Sequence, residues 1–344
     1  MSTWIDSKNL YPLTFTPIYQ ARMWGGTRMH DVLGRKVPVG PAPIGESWEL
    51  SDRDDAMSTV AAGPLAGKTF REMLNHYGEH LTGGRISPRK PFPLLVKLID
   101  AGERLSLQVH PDEIVCARLG GGAEPKTEMW YIISAARDAK ILAGLSPRAT
   151  QVQLRDRLNS AEVEHLMQAY QSIEGDAYFI PSGTLHAIGA GNLILEIQQS
   201  SDTTYRVSDW GRVDADGNSR ELHVEKGMAS INFTNRTTPR ISGVSDAAPH
   251  NRKFPIVHNC RHFAVDDLRL RDLWFDDTAS SGSCHLISAI NHPVRIGRGL
   301  NAGGDDTSTE LVPGETALVP FCYGAYEIQP LDPHGETKVL KTTL

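Results

Sequence analysis

Short apolar runs, none longer than nine residues, are what most constrain this chain. PLLVKLID (93–100), RLSLQVH (104–110), EMWYIIS (128–134), AKILAGL (139–145), AYFIPSG (177–183) and NLILEIQQS (192–200) lead the set. HLISAIN (285–291), ETALVPF (315–321), AYEIQPL (325–331) and TKVLKTTL (337–344) continue it. They are rich in branched or aromatic residues and are bounded by Gly, Pro, Asp or Ser, which is strand and turn language. Many such strands predict a mainly β chain of sandwiches or barrels. A length of 344 residues exceeds one ordinary core. SDAAPHNRKFP (245–255) reads as a linker, so two domains are expected, 1–240 and 250–344.

Helices read as insertions at about 65–85, 111–120 and 148–173. In GKTFREMLNHYGEHL, Thr69 and Glu72 fit a capping box, and Phe70, Met73, Leu74, Tyr77 and Leu81 share one face. HPDEIVCARLGGG is a short helix opened by Pro111 and Asp112 and stopped at Gly120–Gly122. SPRATQVQLRDRLNSAEVEHLMQAYQSI reads as two helices broken near Asn159–Ser160.

Composition narrows the function classes. The net charge is −6 and no Lys/Arg run is present, so neither nucleic acid nor an anionic membrane is an expected partner. No window of 18 apolar residues offers a membrane span. MSTWIDSKNL lacks a basic segment followed by an apolar one, so no secretory signal is expected. Cys116, Cys260, Cys284 and Cys322 show no CxxC spacing and read as free thiols of a cytoplasmic protein.

A weak repeat adds to this. Gly175-x5-Pro181 and Gly314-x5-Pro320 each read as a tight turn, a short strand and a proline that ends pairing. The first copy extends to Gly183 and His186 and resembles the second signature motif of the cupin superfamily, whose histidine binds a metal inside a small jelly-roll barrel. Ala190 stands where that family often has Asn. The second copy continues Phe-Cys-Tyr-Gly with no histidine, so a metal-free C-terminal barrel is expected. The expected fold is therefore mainly β, two cupin-like jelly-roll barrels with short helical insertions.

In LSLQVHPDE (105–113), the strand period of two puts Gln108 and His110 on one face. With Glu128 and His186 they make two imidazoles, one carboxylate and one amide oxygen. Such N/O donors suit a borderline first-row divalent ion, zinc above others, at one ion per chain.

LSLQVHPDE, KTEMWYII, IPSGTLHAIG and LEIQQSSDTTYRVSDWGR together resemble the type I mannose-6-phosphate isomerase family, zinc-dependent cupin enzymes, in its short bacterial form. WGG (24–26), IGESWELS (44–51) and PLLVKLIDAGERLSLQVHP extend the likeness, which runs from about residue 15 to 233. KTE stands where many members have KPE. The resemblance implies interconversion of mannose 6-phosphate and fructose 6-phosphate through a cis-enediol(ate), with a small sugar phosphate as partner and a monomer or homodimer as the working form. It assigns Gln108, His110, Glu128 and His186 as zinc ligands and Arg206 as the active-site arginine. Ser106, Lys126, Glu196 and Asp202 match positions lining the substrate pocket.

That chemistry needs a base for the carbon-bound proton and an anchor for phosphate. Lys126 shares a strand face with Glu128 and can bind phosphate or shuttle a proton. Glu196, a lone carboxylate among Leu and Ile, is expected to have a raised pKa suited to base work. Either serves as the base. Two alternatives stay open: a cupin dioxygenase, since two His and one carboxylate also describe an iron triad, and a non-catalytic sugar-phosphate-binding cupin.

Overall fold

The apolar runs become strands close to their expected bounds in a computed structural model, which describes residues 4–344 other than 88–89, 159, 214–215, 236–237, 244–249, 301–306 and 334. Twelve strands matter for the site. They are β1 (Ile18–Ala21), β2 (Ile44–Leu50), β3 (Leu94–Ala101), β4 (Leu107–Val109), β5 (Glu128–Ala135) and β6 (Lys140–Leu145). After them come β7 (Met167–Gln171), β8 (Ala177–Ile180), β9 (His186–Ile188), β10 (Asn192–Gln199), β11 (Tyr205–Ser208) and β12 (Arg240–Ile241).

These strands form a seven-stranded sheet, ordered β12-β8-β5-β10-β3-β2-β1, and a five-stranded sheet, ordered β7-β6-β9-β4-β11. Side chains from both sheets share one core: Trp130, Ile132, Tyr178 and Ile194 from the first, Ile141, Ala143 and Ile188 from the second. Two sheets closed over one apolar filling are the jelly-roll arrangement, and the chain is mainly β as expected.

Two compact units emerge. One comprises Tyr19–Ser47 and Lys97–Val244; the other comprises the chain up to Ile18, Trp48–Val96 and Ser245–Leu344. The units thus interleave along the chain, whereas composition suggests a single cut near 240–250. Strand pairing brings N-terminal residues into the second unit: Leu13 and Thr14 lie antiparallel to Leu318 and Ala317. That unit has a six-stranded and a four-stranded sheet around Leu268, Ile287, Val294, Leu311, Ala317 and Ile328.

The repeat is structural. Gly175 and Gly314 take φ of 89° and 85°, a region glycine enters without strain. Each precedes a four-residue strand, Ala177–Ile180 and Thr316–Val319, that ends before its proline.

Two expectations are corrected. The second helix within 148–173 does not form. Gln151–Arg157 is helical under a Thr150/Gln153 capping box, but Ala161–Leu166 is a 3₁₀ turn and 167–171 is β7. The reason is pairing: Ala169 and Tyr170 lie opposite Leu142 and Ile141 of β6, so sheet bonds replace helical ones. Asn159, the expected break, lies outside the described residues. The linker is also shorter than 245–255. Arg252–Val257 is a strand paired with Ala264–Leu270, and 245–249 lie outside the described residues. The remaining caps agree: Thr69 and Glu72 form the capping box, and Asp112 caps Glu113–Leu119, which stops at Gly120.

Candidate metal centre and active site

The period-two reading of β4 puts Gln108 and, one residue past the strand, His110 on one side. Register then supplies their neighbours. His186 of β9 lies directly opposite Gln108, and Arg206 of β11 faces Gln108 from the other flank. Glu128 opens β5 in the other sheet, opposite Ile180 and Gln198. The group therefore sits where the two sheets face each other.

His110 Nε2 lies 3.6 Å from Glu128 Oε2, and His186 Nε2 lies 3.4 Å from Glu128 Oε1. One donor atom from each of the three residues falls within 4.8 Å of the others. Gln108 Nε2 is 3.3 Å from His186 Nε2, and half a turn of the amide presents Oε1 there instead.

These residues fit a metal ion on three grounds. First, His110 Nε2 and Glu128 Oε1 are buried with no hydrogen-bond partner among the described residues, an expensive state without a cation. Second, each imidazole is oriented from behind. His110 Nδ1 donates to Thr203 O and His186 Nδ1 to Thr184 O, both at 2.8 Å, which leaves the Nε2 lone pairs aimed inward. Third, burial drives His186 down to about 4 and His110 well below its ordinary value, with Lys126 adding to the latter, so both rings are neutral, the form in which an imidazole can bind a metal. Burial also pushes the Glu128 carboxyl up to about 8 in the metal-free protein, against the pull of Lys126.

Gln108, beside the cluster, lines a cavity of about 310 Å³. Every other expected residue lines it: Ser106, Lys126, Glu196, Asp202 and Arg206. Ser106 Oγ donates to Gln108 Oε1 at 3.3 Å. Lys126 is buried, its Nζ 3.0 Å from Glu128 Oε2. Asp202 is exposed. Arg206 is partly buried, and its Nη1 donates to Glu221 O at 2.9 Å.

Glu196 corrects an expectation. It is not a lone carboxylate. Lys97 Nζ lies 2.8 Å from its Oε2, and Trp130 Nε1 donates to its Oε1 at 3.0 Å. Burial opposes ionisation, but Lys97 and then Lys126 outweigh it and hold the carboxyl well below its ordinary value. Lys97 is likewise held protonated: burial alone would discharge it, and Glu196 and Glu46 reverse that.

Lys97, Glu46, Arg22 and Arg220 also line the cavity, and sequence reasoning missed all four. Lys97 left a signal. It stands in LLVKLIDA, a strand buried along its whole length, and a charge inside such a strand needs a partner. Glu46 lies 3.8 Å from Lys97 Nζ and accepts from Arg22 Nη2 at 3.0 Å.

Residues 13–127 match the family described as phosphomannose isomerase type I, catalytic domain. The mannose-6-phosphate isomerase ManA of Bacillus subtilis is 40% identical over 326 residues, covering 92% of this chain and 96% of its own. A mannose-6-phosphate isomerase of Streptococcus mutans is 38% identical over 217 residues, covering 63% of this chain and 66% of its own. The solved mannose 6-phosphate isomerase from Bacillus subtilis superposes with a TM-score of 0.83 at 30% identity, over 97% of this chain and 100% of its own. Two sheets closed over one core, a buried His-Glu-His cluster and likeness along nearly the whole length agree: the chain belongs to the type I mannose-6-phosphate isomerase family.

Proposed function

We propose that the chain is a zinc-dependent aldose–ketose isomerase that interconverts D-mannose 6-phosphate and D-fructose 6-phosphate through a cis-enediol(ate). The observation that carries this is the buried cluster of His110, Glu128 and His186 with Gln108 beside it, where Gln108 lines a cavity also walled by Lys97, Lys126, Glu196 and Arg206. Gln108, His110, Glu128 and His186 would hold zinc, which supplies a Lewis acid for the sugar oxygens.

The protein groups supply the proton traffic and the anchor. Glu196, ionised beside Lys97, is one candidate to accept the carbon-bound proton, and the approach of substrate to Lys97 would have to relax that pairing for it to act as an effective base. Lys97 is the protonated neighbour that can donate to a sugar oxygen. Lys126 is the other candidate for proton transfer, and like Glu196 it is held in an ion pair, with Glu128 at 3.0 Å. Trp130 fixes the Glu196 carboxylate through Oε1 and leaves Oε2 on the Lys97 side. Ser106 and Asp202 reach the substrate from the cavity wall, and Arg206 offers a permanent charge to its anionic parts. Four free cysteines support a reducing, cytoplasmic setting, and no described helix is long and apolar enough to cross a membrane.

The test is a coupled assay of fructose 6-phosphate formation from mannose 6-phosphate, with and without chelator, beside elemental analysis. Activity that tracks zinc content is expected. Zinc-loaded protein without turnover, or metal-free protein with full turnover, would refute the reading. Oxygen consumption measured in parallel separates a dioxygenase.

A further inference from the structure

Deep in the cavity, every lysine has an acid. Lys97 sits between Glu196 and Glu46, and Lys126 lies against Glu128. Arg22 is paired with Glu46. The arginines on the β11 side are matched differently. Arg206 and Arg220 both line the cavity. The hydrogen bond of Arg206 goes to a main-chain carbonyl, Glu221 O, and its Nε is buried with no partner among the described residues. Burial and then the closeness of Arg220 lower the Arg206 pKa, as two like charges on one cavity wall must.

Arg220 is gripped from behind. Its Nε donates to Asp209 Oδ2 at 2.8 Å and its Nη2 to Oδ1, and Arg212 uses the same carboxylate. One buried carboxylate thus answers two guanidiniums while the third, Arg206, has none at hydrogen-bond distance. The backbone shows how firmly Asp209 is set. Trp210 has φ of 59° and is the one non-glycine residue with positive φ among the described residues. Such strain persists only where the surroundings over-determine it. Here Trp210 Nε1 donates to Leu105 O at 2.7 Å, the Arg104 guanidinium stacks on its ring at 3.9 Å, and Arg212 Nη1 bonds Arg104 O. This locked corner turns Asp209, 6% exposed, toward Arg220.

We propose that Arg220, held in place by Asp209, forms with Arg206 the fork that takes the phosphate dianion of the substrate. Arg220 is a substrate-contacting specificity residue, and Asp209 is a positioning residue. The assignment deepens the isomerase reading and rests on it for the identity of the sugar. Two guanidiniums on one wall offer several directed donors to a tetrahedral dianion, more than a single carboxylate ligand would use.

The experiment compares zinc-loaded wild type with Arg220→Gln, Arg220→Lys and Asp209→Asn. It reads KM and kcat for mannose 6-phosphate, calorimetric binding of inorganic phosphate, and zinc content. Arg220→Gln is expected to raise KM and weaken phosphate binding by about 10- to 100-fold, with zinc content unchanged and kcat nearly so. Asp209→Asn should show a smaller loss of the same kind, and Arg220→Lys should recover part of it. Unchanged KM and phosphate affinity in Arg220→Gln would overturn the proposal. So would a fall in kcat and zinc content at constant KM. If Arg220→Gln does not fold, Arg220→Lys decides, because wild-type KM and phosphate affinity there would dispose of the fork. Arg220-dependent phosphate binding by a wild type that turns over no mannose 6-phosphate would support the anion site and sink the isomerase reading alone.

Discussion

Replacing Lys97 with methionine keeps the stem and removes the charge. It tests the buried network that sets the state of Glu196. Lys97 Nζ lies 2.8 Å from Glu196 Oε2 and 3.8 Å from Glu46 Oε1. At an effective dielectric of about 20 these attractions are about 6 and about 4 kcal/mol. Lysine desolvation cancels much of that, and removal of one partner of a buried ion pair leaves a net cost of about 3–5 kcal/mol. The cost should depend on pH. In the wild type, Glu196 lies below its ordinary value, so its contribution is present above about pH 4.5 and is lost as pH falls through the folded pKa. Without Lys97, burial dominates and raises Glu196, so the variant regains relative stability as it takes up a proton on going from pH 8 to 5. Urea unfolding with zinc in excess, at both pH values, reads this directly, and kcat should fall with the stability. A variant within 1 kcal/mol of wild type at pH 8, or one whose deficit is the same at pH 5, would refute the reasoning.

Three further outcomes are expected. His110→Ala should lose zinc and turnover together, because the remaining donors no longer close the site; elemental analysis beside the coupled assay checks it, and an active, fully loaded variant would contradict the ligand set. Thr69→Ala removes the capping-box hydroxyl of Phe70–Tyr77 and should cost about 1 kcal/mol, read as a lower urea midpoint at constant m-value. Cys284 is fully buried, which pushes its thiol up to about 12. It should stay inert to thiol reagents at pH 8 until the protein is unfolded, and rapid labelling of Cys284 in native protein would show the burial to be wrong.

What was legible in the sequence was local. Alternation marked the strands, the capping boxes and glycine stops marked helix ends, and Gly175-x5-Pro181 marked a turn, strand and stop. Gln108 and His110 were readable as a pair because side chains two apart share a strand face. Glu128 and His186 could be added because motif likeness supplied a barrel. Alternation failed at 167–171, where a helical stripe of Leu and Met is also compatible with an edge strand; only the partner strand β6 decided between them.

Charge state was not legible, because it depends on neighbours through space. Glu196 reads as an isolated acid in LILEIQ, and Lys97 as an oddity in LLVKLIDA. Their strands lie side by side in one sheet, and this proximity makes an ion pair that reverses the expected pKa. The interleaved units have the same origin, in contacts between segments distant along the chain. The sequence by itself determined which residues alternate, where turns fall and which donors share a face, since those follow from backbone geometry over a few residues. The tertiary structure alone decided which charges meet and which are left to meet a ligand, since electrostatic energy is set by separation and burial and not by position along the chain.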